Sequence, residues 1–107
     1  MQVYDIKRGH YKTIEGTGLE KIMTDIFGEV EREGEKYKAN YGAMSPITVW
    51  LKSKKELCVD IITETGVSDD IAMKTIKAKN EFLIKATGFS SKERSKRLQK
   101  KAKEGKL

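Results

Sequence analysis

The clearest pattern along the chain is helical. Leu19, Ile22, Met23, Ile26 and Phe27 fall at i, i+3, i+4, i+7 and i+8, one continuous apolar stripe. Thr17-Gly18-Leu19-Glu20 ahead of the stripe has the form of a capping box, and Gly28 behind it supplies a left-handed stop. Upstream, Val3–Ile6 is a short strand candidate and Tyr11–Ile14 a second extended piece. Downstream the period changes to two. Glu29–Glu33 is a weak, charged strand ended by Gly34. In Lys36–Tyr41, the residues Tyr37, Ala39 and Tyr41 share one face, and Lys36, Lys38 and Asn40 share the other. Ile47–Lys52 alternates in the same way, setting Ile47, Val49 and Leu51 against Thr48, Trp50 and Lys52. Pro46 stands at the start of that strand, where it removes no ladder bond. Leu57–Thr63 follows a polar turn and is the most strand-like segment of all. Short turns between consecutive strands predict an antiparallel meander.

A second helix opens at Ser68, with Asp69 and Asp70 placed to complement its positive end. Ile71, Ala72, Ile76, Ala78, Phe82, Leu83 and Ala86 cover a broad face, which predicts a helix lying along the sheet and ending at Gly88. A second capping box, Ser90-Ser91-Lys92-Glu93, starts a third helix whose apolar residues are limited to Leu98 and Ala102 before the terminus. The predicted fold class is therefore α+β: an antiparallel sheet of about five strands backed by two helices, in the order β-α-β-β-β-β-α, with a basic helix appended.

Charge divides the chain where the patterning does. Residues 1–89 carry 14 Lys/Arg and 14 Asp/Glu, so the net charge of +6 sits entirely in residues 90–107. This separates a neutral globular domain, 1–89, from a basic C-terminal helix or tail, 90–107, whose attraction for anions is concentrated at one end of the molecule. The single cysteine, Cys58, excludes an internal disulfide. No apolar run approaches the roughly 20 residues that span a bilayer, and Met1-Gln2-Val3-Tyr4-Asp5 is too polar for a signal peptide, so a cytoplasmic location is expected.

The segment Gly88-Phe89-Ser90-Ser91-Lys92-Glu93-Arg94 resembles the ending of a group of small uncharacterised archaeal proteins. The element order over residues 1–88 is similar to one repeat of the TATA-box-binding protein fold, which implies a curved antiparallel sheet backed by helices. That likeness is one of topology, without a shared residue motif, and implies no DNA-contacting residue and no activity.

Among candidate chemistries the basic helix stands first. Helical spacing puts Lys92, Lys96, Lys100 and Lys103 along one side, and Arg94, Arg97 and Lys101 along another. Such a rod can neutralise phosphates and release counterions, giving nucleic acid (RNA or DNA) affinity without sequence reading. Its contact residues are expected to be Arg94, Lys96, Arg97, Lys100, Lys101 and Lys103, with structured RNA favoured. An inert solubilising tail and a helix for an acidic protein partner remain open; a membrane is disfavoured because no apolar face accompanies the charge. The sheet face bearing Trp50, Thr48 and Lys52, joined by Cys58, Asp60 and Ile62, offers a second surface for nucleic acid or for a homodimer, or is simply structural. Lys7-Arg8-Gly9-His10-Tyr11-Lys12 combines charge, a ring and a glycine, as RNA-contacting loops do and as ordinary exposed loops also do.

Catalysis finds no purchase. His10 is the only histidine, so neither a histidine metal site nor a proton relay assembles. Gly16-Thr17-Gly18 lacks the dinucleotide and P-loop fingerprints, and no cofactor motif occurs. Cys58 lies mid-strand near Asp60, whose charge raises a thiol pKa instead of activating it. Glu29, Glu31, Glu33 and Glu35 on one strand read as edge protection. A non-enzymatic protein without cofactor or metal is expected.

Overall fold

A computed structural model describes residues 2–103, apart from the side chains of Leu98 and of 101–103. Nine elements follow in order: β1 (Gln2–Asp5), α1 (Tyr11–Ile14), α2 (Gly18–Phe27), β2 (Val30–Glu33), β3 (Lys36–Tyr41), β4 (Met44–Ser53), β5 (Glu56–Thr63), α3 (Asp69–Thr87) and α4 (Ser91–Lys103). The strands form one antiparallel sheet in the order β1-β5-β4-β3-β2. β1 starts at one edge, α1 and α2 carry the chain to the other, and three hairpins bring it back until β5 lies beside β1. The α+β class and the five-stranded meander read from the sequence are those of the structure.

Period-two alternation fixes which face is covered. Tyr4, Leu57, Val59, Val49, Ile47, Tyr37 and Ala39 all point to the helical side, and each is buried. Against them α2 buries Leu19, Met23 and Phe27, and α3 buries Ala78, Phe82, Leu83 and Ala86. Each large side chain so covered is worth about 1.5–3 kcal/mol of transfer free energy. Phe27 sits with its ring centroid 5.6 Å from that of Tyr41 and 5.4 Å from that of Phe82, so one side chain joins α2, β3 and α3.

Several local expectations are corrected. Tyr11–Ile14 is a four-residue helix instead of an extended piece, and it delivers Ile14 into the core with no exposed surface. The first capping box does not close. Thr17 has φ −91°, ψ 0°, outside the extended geometry an N-cap needs, because α1 runs almost directly into α2. Gly18 serves that junction: a Cβ there would lie 2.1 Å from the Thr13 carbonyl oxygen, so only glycine permits the close approach. Pro46 lies within β4, at the register irregularity between Met44 and Ile47, where its missing N–H breaks no regular ladder. Ile71 and Ile76 are 41% and 59% exposed, and the face of α3 that enters the core is carried by Thr75, Ala78, Phe82, Leu83, Ala86 and Thr87.

Thr75 succeeds on that buried face because its hydroxyl is fully employed, donating to the Ile71 carbonyl (2.7 Å) and accepting from the Ala43 amide (2.9 Å). Ser68 caps α3 by accepting from the Ile71 amide, and Gly88 ends it with φ +79°, as the sequence predicts.

Candidate functional site

The second capping box closes as predicted. Ser90 Oγ accepts from the Glu93 amide and Glu93 Oε1 accepts from the Ser90 amide, both at 3.3 Å. These bonds to the charged carboxylate, from Ser90 above all and helped by Lys7 and Arg97, hold the Glu93 pKa below its ordinary value. α4 is thereby anchored at its first turn.

Arg94 then decides how α4 sits. It is only 7% exposed, donating from Nη1 to the Phe89 carbonyl (2.7 Å) and from Nη2 to Asn80 Oδ1 (3.3 Å) of α3. Burial lowers its pKa while neighbouring Tyr4 raises it, and Tyr4, whose hydroxyl donates to Gln2 Oε1, has its own pKa pushed up by burial. Arg94, expected from the sequence as a phosphate contact, is thus placed apart from the exposed lysines, with two of its N–H donors bonded within the fold. Lys92, Lys96 and Lys100 stand exposed on the opposite side, as the helical spacing predicts. The side chains of Lys101 and Lys103, also expected contacts, lie outside the described residues.

Arg97 occupies the boundary. Its Nε donates to Asp5 Oδ2 at 2.8 Å, and its guanidinium lies 4.6 Å from the centroid of the Phe89 ring. The pairing is half exposed, so it contributes placement more than stability. It turns Arg97 into the wall of a cleft of about 970 Å³. Two other stretches of chain supply the remaining cations: Lys7, Arg8 and Lys12 from the end of β1 through α1, and Lys54 and Lys55 from the β4–β5 turn. All six cations are exposed, against Asp5 and Glu15 as the acidic members of the lining. Two rings, Tyr11 and Phe89, complete the walls.

Backbone bonds explain why these stretches meet. The Ile6 amide donates to the Lys55 carbonyl and the Lys7 amide to the Thr87 carbonyl, each at 2.8 Å, tying the end of β1 to the β4–β5 turn and to the end of α3. Gly9, at φ +83°, turns the chain between them. His10 Nε2 makes a 2.5 Å contact with the Lys85 carbonyl, which as an acceptor requires that nitrogen to carry the proton. The only histidine is thus a clasp on α3. The sequence singled out Lys7–Lys12 and the C-terminal helix separately; Lys54 and Lys55, read as a plain polar turn, were missed because nothing local marks a turn lysine as part of a distant cleft.

The other sequence candidate, the sheet face away from the helices, is mixed in charge. Trp50 and Thr48 are half-buried and Lys52 is exposed. Lys36 Nζ covers the Trp50 ring at 4.6 Å, Lys38 pairs with Glu33 at 3.0 Å, and Glu31 stands across from Lys38. Carboxylates interleaved with lysines leave this face without the local excess of positive charge that lines the cleft. Cys58, flanked across the strands by Val3 and Trp50, is 2% exposed. Burial pushes its thiol pKa up against the opposing pull of Lys52, with Glu56 instead of Asp60 as the acidic contributor.

Among the described residues, no group of three or more His, Cys, Asp or Glu side chains is arranged to hold a metal ion, and no helix is long and apolar enough to cross a membrane. No curated protein and no solved structure matches the chain. Residues 1–100 match the family described as "Domain of unknown function (DUF5611)", and the chain belongs to that family.

Proposed function

We propose that this domain is a non-enzymatic nucleic-acid-binding protein that holds the sugar–phosphate backbone of RNA, ahead of duplex DNA, in the basic cleft and along the exposed lysine side of α4. The observation that carries the reading is the convergence of six exposed cations from three chain segments on one cleft that also has two rings. Cations neutralise phosphates and release counterions, and rings offer stacking surfaces that RNA loops and ends can use. Lys96 and Lys100 extend the track from Arg97 along α4. The topological likeness to a TATA-box-binding protein repeat adds no contact residue to this reading.

Titration of a fluorescent RNA hairpin with the full chain over a salt series tests it. A slope of log K against log salt on the order of −0.7 to −0.9 per phosphate contacted is expected. Replacing Lys96 and Lys100 together by alanine should flatten that slope by about 1.4–1.8. Absence of binding at 50 mM salt would overturn the proposal.

A second reading has its own observation. Met73, Ile76 and Ile84 on α3 are 70%, 59% and 45% exposed and share one helical side, and Ile62 of β5 is exposed as well. Unpartnered apolar side chains of this size favour a protein-interaction module. The sequence-level version of that alternative centred on Trp50, which is instead half-buried beneath Lys36. Sedimentation equilibrium across a hundredfold concentration range separates the two: a monomer throughout removes self-association, and a mass that doubles supports it.

A further inference from the structure

Resting on that reading, we infer that the cleft takes an unpaired nucleotide, its base stacked on Tyr11 and its phosphates held by Arg97 and Lys54, so that the domain selects single strands over duplexes. The two rings of the cleft are not equivalent. Phe89 is covered by the Arg97 guanidinium at 4.6 Å, and that guanidinium is itself clamped by Asp5 at 2.8 Å. Tyr11 has Lys54 Nζ at 5.9 Å from its centroid, at the outer limit of useful cation–ring attraction. A ligand base can therefore displace Lys54 from Tyr11 at small cost, whereas displacing Arg97 from Phe89 means breaking an ion pair as well.

The displaced Lys54 remains at the cleft wall, where a backbone phosphate of the stacked nucleotide would draw its ammonium. Arg97 commits Nε to Asp5, leaving its terminal nitrogens to donate to a phosphate in the paired geometry guanidinium favours. Asp5 is then a positioning residue for Arg97. Cleft volume agrees with the ligand class: about 970 Å³ is at the upper end of the size range of small-molecule sites and suits a nucleotide with its flanking phosphates. In a duplex, bases are paired and stacked on one another and offer a protein ring no free face, so Tyr11 contributes only to an unpaired strand.

The test measures anisotropy of a labelled ten-nucleotide RNA, alone and annealed to its complement, with the full chain and with Tyr11→Phe and Tyr11→Ala. The unpaired strand should bind more tightly than the duplex. Tyr11→Ala should weaken single-strand binding by about 5- to 150-fold, the range found for loss of one stacked base. Duplex binding by the same variant should be unchanged, which doubles as proof that the cleft is intact, and Tyr11→Phe should retain wild-type preference. Equal loss on both forms, or unaltered single-strand binding by Tyr11→Ala, overturns the stacking assignment while leaving the phosphate-binding proposal standing. Failure of the wild-type chain to bind either form removes the proposal itself.

Discussion

Replacing Lys7, Arg8, Lys54 and Lys55 together by alanine is expected to lower RNA affinity by about two orders of magnitude at 0.15 M salt, from counterion release of roughly 0.6 log units per lost phosphate contact. All four side chains are exposed and line the cleft, so their removal leaves the core untouched. The backbone bonds that place them, Ile6 to Lys55 and Lys7 to Thr87, involve no side chain and survive the substitution. Circular dichroism and the thermal midpoint should accordingly stay close to wild type, and the salt slope should fall by about 2.8–3.6. An affinity within threefold of wild type would place the phosphates elsewhere and return attention to the lysine side of α4. The comparison with Lys96→Ala/Lys100→Ala apportions binding between cleft and helix, since the two sets are on different elements and share no ion pair.

Phe82→Ala should cost about 3–5 kcal/mol of folding stability. Phe82 is fully buried, centred on the long helix that backs the sheet, and its ring meets Phe27 at 5.4 Å. Phe27 in turn meets Tyr41, so the truncation opens a void at the point where α2, α3 and β3 join. Close-packed interiors relax only partly into such voids, which adds a cavity term to the lost transfer energy. For a domain of this size the total stability is of order 5–15 kcal/mol, so the loss is a large fraction of it. Urea unfolding followed by circular dichroism should show the midpoint falling by about 2 M or more for a slope near 1.5 kcal/mol/M. Phe82→Leu, which retains most of the volume, should recover more than half of the difference. A shift under 0.5 M for Phe82→Ala would mean that the three-ring contact carries little of the core.

Where helix and strand were legible in the sequence, the reason is local. The Leu19–Phe27 stripe has a period that only a helix can bury, and it does so through Leu19, Met23 and Phe27. The alternation in Lys36–Tyr41 and Ile47–Lys52 can bury one face only as strands, and the structure buries those faces. The closing box at Ser90 and Glu93 was equally readable, because a reciprocal pair of bonds three residues apart depends on nothing distant.

The failures have a common cause of the opposite kind. Thr17-Gly18-Leu19-Glu20 carries the same capping signature, yet Thr17 does not cap, because α1 enters from a direction that only tertiary packing sets. Ile71 and Ile76 read as core by their spacing and stand exposed, because the sheet covers the adjoining side of α3 and leaves room there for Thr75, which the Ala43 amide satisfies. Arg94 read as one of the phosphate contacts of an exposed basic helix, and its side chain is buried against Phe89 and Asn80.

Every element but α1, the antiparallel order of the strands and the concentration of net positive charge in residues 90–107 could thus be read from the chain alone, because propensity, periodicity and net charge are carried by residues near one another. Which charges lie side by side depends on the folded chain. Lys7, Lys54 and Arg97 are separated by most of the chain's length, and they share one cleft only because β1 pairs with β5 and Asp5 on that strand holds Arg97.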